Sequence, residues 1–285
     1  MSIEEVVAVL PRRSGALGAA EDAAPGDHAC MSYRSAAGRI QAVVDWLRLG
    51  LERNERTMYV YDASMDELRA EVADLPDGDA AIESGALVLA PTRALYDLSV
   101  PIDPSSQLAM YDQAVRQAIA DGYQGLRIAA DITPLVLDAS RRPSHLRWEQ
   151  IADRYMTQHP LAPLCLYDAS VLPDLDAIAA AHPLQGPGEP MFAVYGMGPA
   201  TAAVEGELDG CVAAALEGVL AGLPDTDRQL DLRRLSFVDA RAASILHLEL
   251  HNRISTGRPL TVTGASPMFR KVWQLCGFDA DLLAA

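Results

Sequence analysis

The strongest constraint on this chain is a rhythm. Short apolar runs rich in β-branched and aromatic residues alternate with segments whose apolar positions recur at helical spacing. Ala29–Tyr33 reads as a strand, and Ile40, Val43, Val44, Leu47 and Leu51 place an amphipathic helix over 36–53. Residues 57–61 and 86–90 read as strands, with helices over 64–74 and 105–121. A strand at 126–130, a helix over 144–158 and a strand at 164–167 continue the series. Units of this kind predict an α/β fold with a mainly parallel sheet flanked by helices.

The rhythm breaks once. From His182 to Pro190 the chain holds three prolines and two glycines, which no helix or central strand accommodates, so a linker is expected at 185–190. Beyond it, strands are expected at 191–195, 201–206, 229–232 and 260–263. Helices near 210–222, 240–256 and 267–276 complete a second, smaller α/β domain over 191–285. Residues 1–25, with Pro11, Arg12, Arg13 and a run of small residues, read as a flexible leader without chemistry of its own. The first domain then spans 26–184.

Composition narrows the function. Half of the 285 residues are apolar, enough for a real core, while 39 acids against 23 bases give a formal charge of -16. That charge opposes direct nucleic-acid binding and attachment to an anionic membrane. No apolar run approaches the ~20 residues of a membrane span, and the first ten residues lack the basic start of a signal peptide. Cys30, Cys165, Cys211 and Cys276 lie far apart, as expected for reduced thiols in a cytoplasmic protein. Of the 23 basic residues 22 are arginine; the single lysine, Lys271, lies in no glycine-rich loop, which excludes a working P-loop.

Three predicted strands of the first domain end in an acid: Tyr61-Asp62, Ala130-Asp131 and Tyr167-Asp168. Ligands of open α/β sheets bind beyond the carboxyl ends of the strands, so these residues mark a candidate pocket edge. Each aspartate taken alone reads first as a helix N-cap. His28, in the loop Gly26-Asp27-His28, and Arg34, in the turn after the first strand, are further ligand candidates. His247 and His251 stand at i and i+4 without a third ligand nearby, which favours a plain helix face over a metal site. Cys30 and Cys165, on strands, read as packing residues. No catalytic residue, no metal and no cofactor is expected, and an enzyme is not the first choice.

Gly26-Asp27-His28-Ala29-Cys30, Tyr61-Asp62, Gly122-Tyr123-Gln124-Gly125-Leu126-Arg127, Leu164-Cys165-Leu166-Tyr167-Asp168 and His182-Pro183 together resemble the MEDS domain, the methanogen and methylotroph sensory domain. The resemblance runs from about Gly26 to Leu184. It implies a fold similar to the RecA/KaiC class without its phosphate loop. It also implies a sensory module that binds small organic molecules and is fused to regulatory output domains. Where many members have a glutamate after the strand at 126–130, this chain has Asp131.

The second domain resembles a STAS domain, the fold of anti-sigma factor antagonists. The resemblance rests on Gly206-Glu207-Leu208-Asp209, on the strand running from Leu230 to Asp239 and on Leu275-Cys276-Gly277-Phe278. Phosphorylatable members carry hydroxyls after the aspartate; here Asp239 is followed by Ala240, Arg241 and Ala242. Ser236 and Ser244 flank the turn out of register. Asp209, Asp239, Ala240 and Arg241 are then the expected partner-binding residues of a domain that has lost its phosphorylation switch. The implied partner is an anti-sigma factor or kinase-like regulatory protein, alongside a small organic ligand and a homodimer. The alternatives are a degenerate RecA-like nucleotide-binding protein and a scaffold of a larger STAS-containing complex.

Overall fold

Seven strands, each parallel to its neighbours, form the first sheet: β1 (Gly15–Ala16), β2 (Ala29–Tyr33), β3 (Arg56–Tyr61), β4 (Leu87–Pro91), β5 (Leu126–Asp131), β6 (Leu161–Asp168) and β7 (Leu184–Gln185). Their spatial order is β1-β7-β2-β6-β5-β3-β4. The computed structural model describes residues 10–18, 23–186 and 192–284. All six residues of β5 and the first seven of β6 are buried, which explains why these strands are mostly apolar; an exception within them, Arg127, is paired with buried Glu55. One face of the sheet packs on α1 (Ala36–Glu52), α2 (Met65–Glu71) and α3 (Gly78–Ser84). Ser35 caps α1, and Ser64 and Glu67 form a capping box on α2. The opposite face packs on α5 (Pro104–Ala120), which Asp103 caps, and on α7 (Arg142–Met156). The short helices α4 (Thr92–Leu95), α6 (Thr133–Val136) and α8 (Asp176–Ala180) fill the corners.

The second sheet has the order β11-β10-β9-β8. Here β8 (Phe192–Gly198) and β9 (Thr201–Leu208) form an antiparallel hairpin, while β10 (Gln229–Val238) and β11 (Thr261–Thr263) extend it in parallel. Its helices are α9 (Ala213–Ala221), α10 (Ala240–Ser255) and α11 (Pro267–Leu275). The chain is therefore α/β throughout, with a parallel seven-stranded sheet and a separate four-stranded one. Most of the expected linker, 187–190, lies outside the described residues, as does Met191, the expected start of the next strand. Gln185, expected within that linker, belongs to β7, and the Gly186 N–H donates to the Cys30 carbonyl at 2.7 Å.

The leader behaves differently from its sequence. Residues 1–9 and 19–22 lie outside the described part, but 10–18 run across both sheets. Gly15 pairs with Leu184, Ser14 Oγ donates to Glu205 at 2.6 Å, and the Arg12 guanidinium is buried in an ion pair with Asp153. An arginine next to a proline in a small-residue run carries no mark of this; its partner is more than a hundred residues away.

The two sheets share one core. A single apolar cluster runs from Ile128 and Cys165, past Leu146 and Ile178, to Val194, Leu216 and Leu246. Helix α7 lies in the middle of it, touching β8 and α9 on its far side. Gln150 Nε2 donates to the Val194 carbonyl at 2.7 Å, and Arg154 forms a bidentate pair with Asp227 at 3.1 and 2.9 Å. Both partners of that pair are buried, so removing one leaves a charge unanswered. Arg154→Ala is expected to destabilise the chain by about 3–5 kcal/mol, with much of the loss recovered in Arg154→Met/Asp227→Leu. Urea unfolding of the two variants checks this.

Candidate functional site

At the carboxyl edge of the first sheet the candidate residues divide. Tyr61 and Asp131 meet around Arg39, which projects from the first turns of α1. The Arg39 guanidinium lies 3.8 Å from the Tyr61 ring centre and pairs with both oxygens of Glu71 at 2.8 and 2.6 Å. Tyr33 donates to Asp131 Oδ2 at 2.5 Å, and the Thr133 N–H donates to Oδ1 at 2.9 Å. Asp62 lies apart, paired with exposed Arg93 at 3.1 Å; Ser64, not Asp62, caps the following helix. Asp168 accepts from the Ser170 N–H at 2.8 Å in a turn. Arg34 is exposed, and only Arg34 and Ser35 connect β2 to α1, too short a connection to wrap a phosphate chain. Thus the edge is closed by groups that satisfy one another.

His28 and Tyr167 belong elsewhere, to a buried cluster under α7. His145, Glu149 and Asp153 stand at i, i+4 and i+8 of that helix and point along one stripe. Glu149 Oε2 lies 3.2 Å from His28 Nε2 and 3.6 Å from His182 Nε2; Oε1 lies 3.0 Å from His145 Nε2 and 3.3 Å from the Tyr167 hydroxyl. Cys165 Sγ is 3.8 Å from His28 Nε2. On its other side His28 Nδ1 meets Asp153 Oδ1 at 3.2 Å. Asp153 also accepts from the Gly196 N–H of β8 at 2.5 Å, and its charge is answered by Arg12 and Arg154. One carboxylate thereby touches the His28 cluster, the strap at 10–18 and the second sheet.

Burial opposes charge on every member, and the outcome differs from residue to residue. For His28 it is outweighed by hydrogen bonds to Asp153 and Glu149, which hold the pKa above the ordinary value. Burial likewise works against the carboxylates, yet His145 and His28 keep Glu149 well below the usual range, and Arg12 and His28 do the same for Asp153. For His182 burial wins, followed by repulsion from His28, and its pKa falls to about 3. His182 Nδ1 donates to the Ile178 carbonyl at 2.8 Å, so Nε2 carries the bare lone pair, and no hydrogen-bond donor meets it. Burial, then the charge of Glu149, pushes the Cys165 thiol far up.

Beside the cluster is a cavity of about 30 Å³ between the sheet and α5/α7, room for only a few heavy atoms. Tyr96, Tyr111, Trp148, Ile128 and Met156 form its apolar wall, and His28, Glu149 and Cys165 its polar end. Of these residues, only His28 stood out as a ligand candidate in the sequence. The α7 stripe left a signal nonetheless: His145, Glu149 and Asp153, at four-residue spacing within 144–158, mark a face that has to be answered somewhere.

In the second unit the expected partner residues do converge. Asp239 caps α10 by accepting from the Ala242 N–H at 2.8 Å, and its own N–H donates to the Leu208 carbonyl at 2.9 Å. Asp209 lies in the adjoining loop, where it accepts from the Cys211 N–H at 2.8 Å. Ala240 and Arg241 are exposed in the first turn of α10. Ser236 and Ser244 donate to backbone carbonyls at 2.8 and 2.7 Å. His247 and His251 stack edge-on at 4.4 Å, with His247 against Phe278.

Asp131 yields a test of the edge network. Burial raises its pKa, and the bonds from Tyr33 and Thr133 only partly offset this. A carboxyl whose folded pKa lies above its unfolded value of about 3.9 loses stabilisation as pH rises through the folded value. Asp131→Asn is therefore expected to gain stability relative to the wild type between pH 3.5 and 6. Parallel urea titrations across that range check the sign.

Comparison with known proteins agrees with the first unit. No curated protein matches the chain. The model of the methanogen/methylotroph, DcmR sensory domain matches residues 27–183, which begins beside His28 and ends just after His182. Because that match covers more than half of the chain, the protein belongs to the MEDS family of sensory domains.

Proposed function

We propose that the chain is a signalling regulator. Its first unit takes up a small organic molecule in the cavity beneath α7. Its second unit is a STAS-type output that binds an anti-sigma factor or kinase-like regulatory protein and thereby acts on transcription. The single observation that carries this reading is Asp153, whose carboxylate joins the cavity's His28 to the Gly196 N–H of β8. Any ligand that displaces or discharges His28 acts on that bond, and a ligand that favours one arrangement shifts the population of the other. The family match supports the sensory part. The juxtaposed turns bearing Asp209 and Asp239, with Arg241 exposed, support the output part. With Ala240 and Arg241 at the hydroxyl positions, control passes to the first unit instead of to a kinase.

The size of the cavity confines the ligand to about one to three heavy atoms beyond a water. Methanol, ethanol, formate and dichloromethane are therefore suitable probes, with the emission of the cavity-lining Trp148 as the readout. One of these is expected to shift emission and raise the thermal midpoint, and Ala152→Leu, which fills the cavity wall, is expected to abolish both effects. A response that survives in Ala152→Leu places the ligand elsewhere. Asp153→Asn is expected to keep the Trp148 response while losing ligand-dependent amide exchange in β8. Arg241→Glu is expected to lower capture of a kinase-like anti-sigma protein by at least tenfold without changing the Trp148 response.

A further inference from the structure

We infer that His28, Glu149, Cys165 and His182 form a binding site for one divalent transition-metal ion, with Zn²⁺ as the best fit. Among the described residues these four alone bring together one ligand atom each, all within 4.8 Å of one another, and all four are buried. Tetrahedral Zn²⁺ with bonds of about 2.0–2.3 Å separates neighbouring N, O and S ligands by about 3.3–3.6 Å. The contacts of 3.2 Å from His28 to Glu149, 3.6 Å from His182 to Glu149 and 3.8 Å from His28 to Cys165 lie close to that spacing.

The supporting shell is already in place. Metal-bound histidines donate their second N–H to a carboxylate or a backbone carbonyl, which fixes the tautomer and the ring. His28 has Asp153 in that position and His182 has the Ile178 carbonyl, so both Nε2 atoms face Glu149. The free oxygen of Glu149 is held by His145. His182 Nε2 is the telling atom: it is fully buried and has no hydrogen-bond partner, a cost that coordination removes.

Two imidazoles, a thiolate and a carboxylate suit Zn²⁺ or a neighbouring transition metal, and not Mg²⁺ or Ca²⁺, which take oxygen ligands. One thiolate and one carboxylate neutralise the doubly charged ion, and the protons of the Cys165 thiol and His28 Nε2 leave to solvent. The ligands come from the loop before β2, from β6, from α7 and from the corner after α8. The ion therefore ties α7 to the sheet at the polar end of the cavity, which His28, Glu149 and Cys165 also line.

The test uses the untagged full chain, stripped with a chelator and titrated with Co²⁺. One equivalent is expected to give the visible bands of a tetrahedral site and a near-ultraviolet sulfur-to-cobalt band, both removed by Zn²⁺. Cys165→Ser is expected to lose the sulfur band, and His182→Gln to weaken binding at least tenfold. His247→Ala, at the histidine pair on α10, is expected to change neither. Absence of these bands in the wild-type protein, or a sulfur band that survives in Cys165→Ser, overturns the assignment. If a variant fails to fold, the wild-type titration and a rise of its thermal midpoint with Zn²⁺ decide the matter. The Trp148 response to organic probes is a separate readout, so either proposal can fail without the other.

Discussion

Helix α7 must keep its charges out of water. Of its fifteen residues, His145, Glu149, Gln150, Asp153 and Arg154 are all buried, because the helix has a sheet on one side and a second unit on the other. Burying an ion costs several kcal/mol unless partners answer it at close range. The rest of the architecture supplies those partners from far along the chain: Arg12 from the strap, His28 from before β2, His182 from after α8, Asp227 from the second unit. Loss of any one of them exposes the others to the same penalty. This shared satisfaction, together with the apolar core, makes two sheets into one molecule.

The same constraint explains why the proposed site lies inside the sheet's cover and not at its edge. Parallel α/β sheets usually take ligands in the crevice beyond their strand ends. Here a two-residue connection draws α1 tightly against β2, and Arg39 fills the crevice with a pair to Glu71 sandwiched by aromatic rings. Asp131 is spent on Tyr33 and Thr133. What the edge lacks, the α7 face has: His28, Cys165 and Glu149 at the end of a small cavity, and close to them His182, whose Nε2 meets no donor.

Much of this fold could be read from the sequence, because strand and helix periods are local properties. Ala29–Tyr33 coincides with β2, and the apolar stripe starting at Ile40 coincides with α1. The two-residue strands β1 and β7 left no period to find; they exist because residues 10–18 are pinned by Arg12 and Ser14. The site was less legible for a related reason. A stripe of His, Glu and Asp on a helix usually faces water, and only its packing against β6, the His28 loop and β8 turns it inward. His28 could be noticed as a loop histidine and Cys165 as a strand residue, but their meeting at Glu149 is a long-range event. The turn at Asp239 was easier, since a cap and its first helical turn are contiguous in sequence.

A cavity of this kind also sets how its occupant can be felt. Every residue that lines it is buried, Tyr111 on α5 and Trp148, Glu149, Ala152 and Met156 on α7 among them, so an occupant is in contact with both helices. Two of the lining residues, Tyr96 and Tyr111, bond to each other through their hydroxyls at 2.8 Å. Local openings carry a free energy of their own, and an occupant that changes it redistributes the arrangements of the helix it touches. Because α7 holds Gly196 through the carboxylate that also holds His28, the helix cannot shift for the cavity alone. On the proposed reading, recognition of a small molecule and rearrangement at the second sheet are one event seen from the two sides of α7.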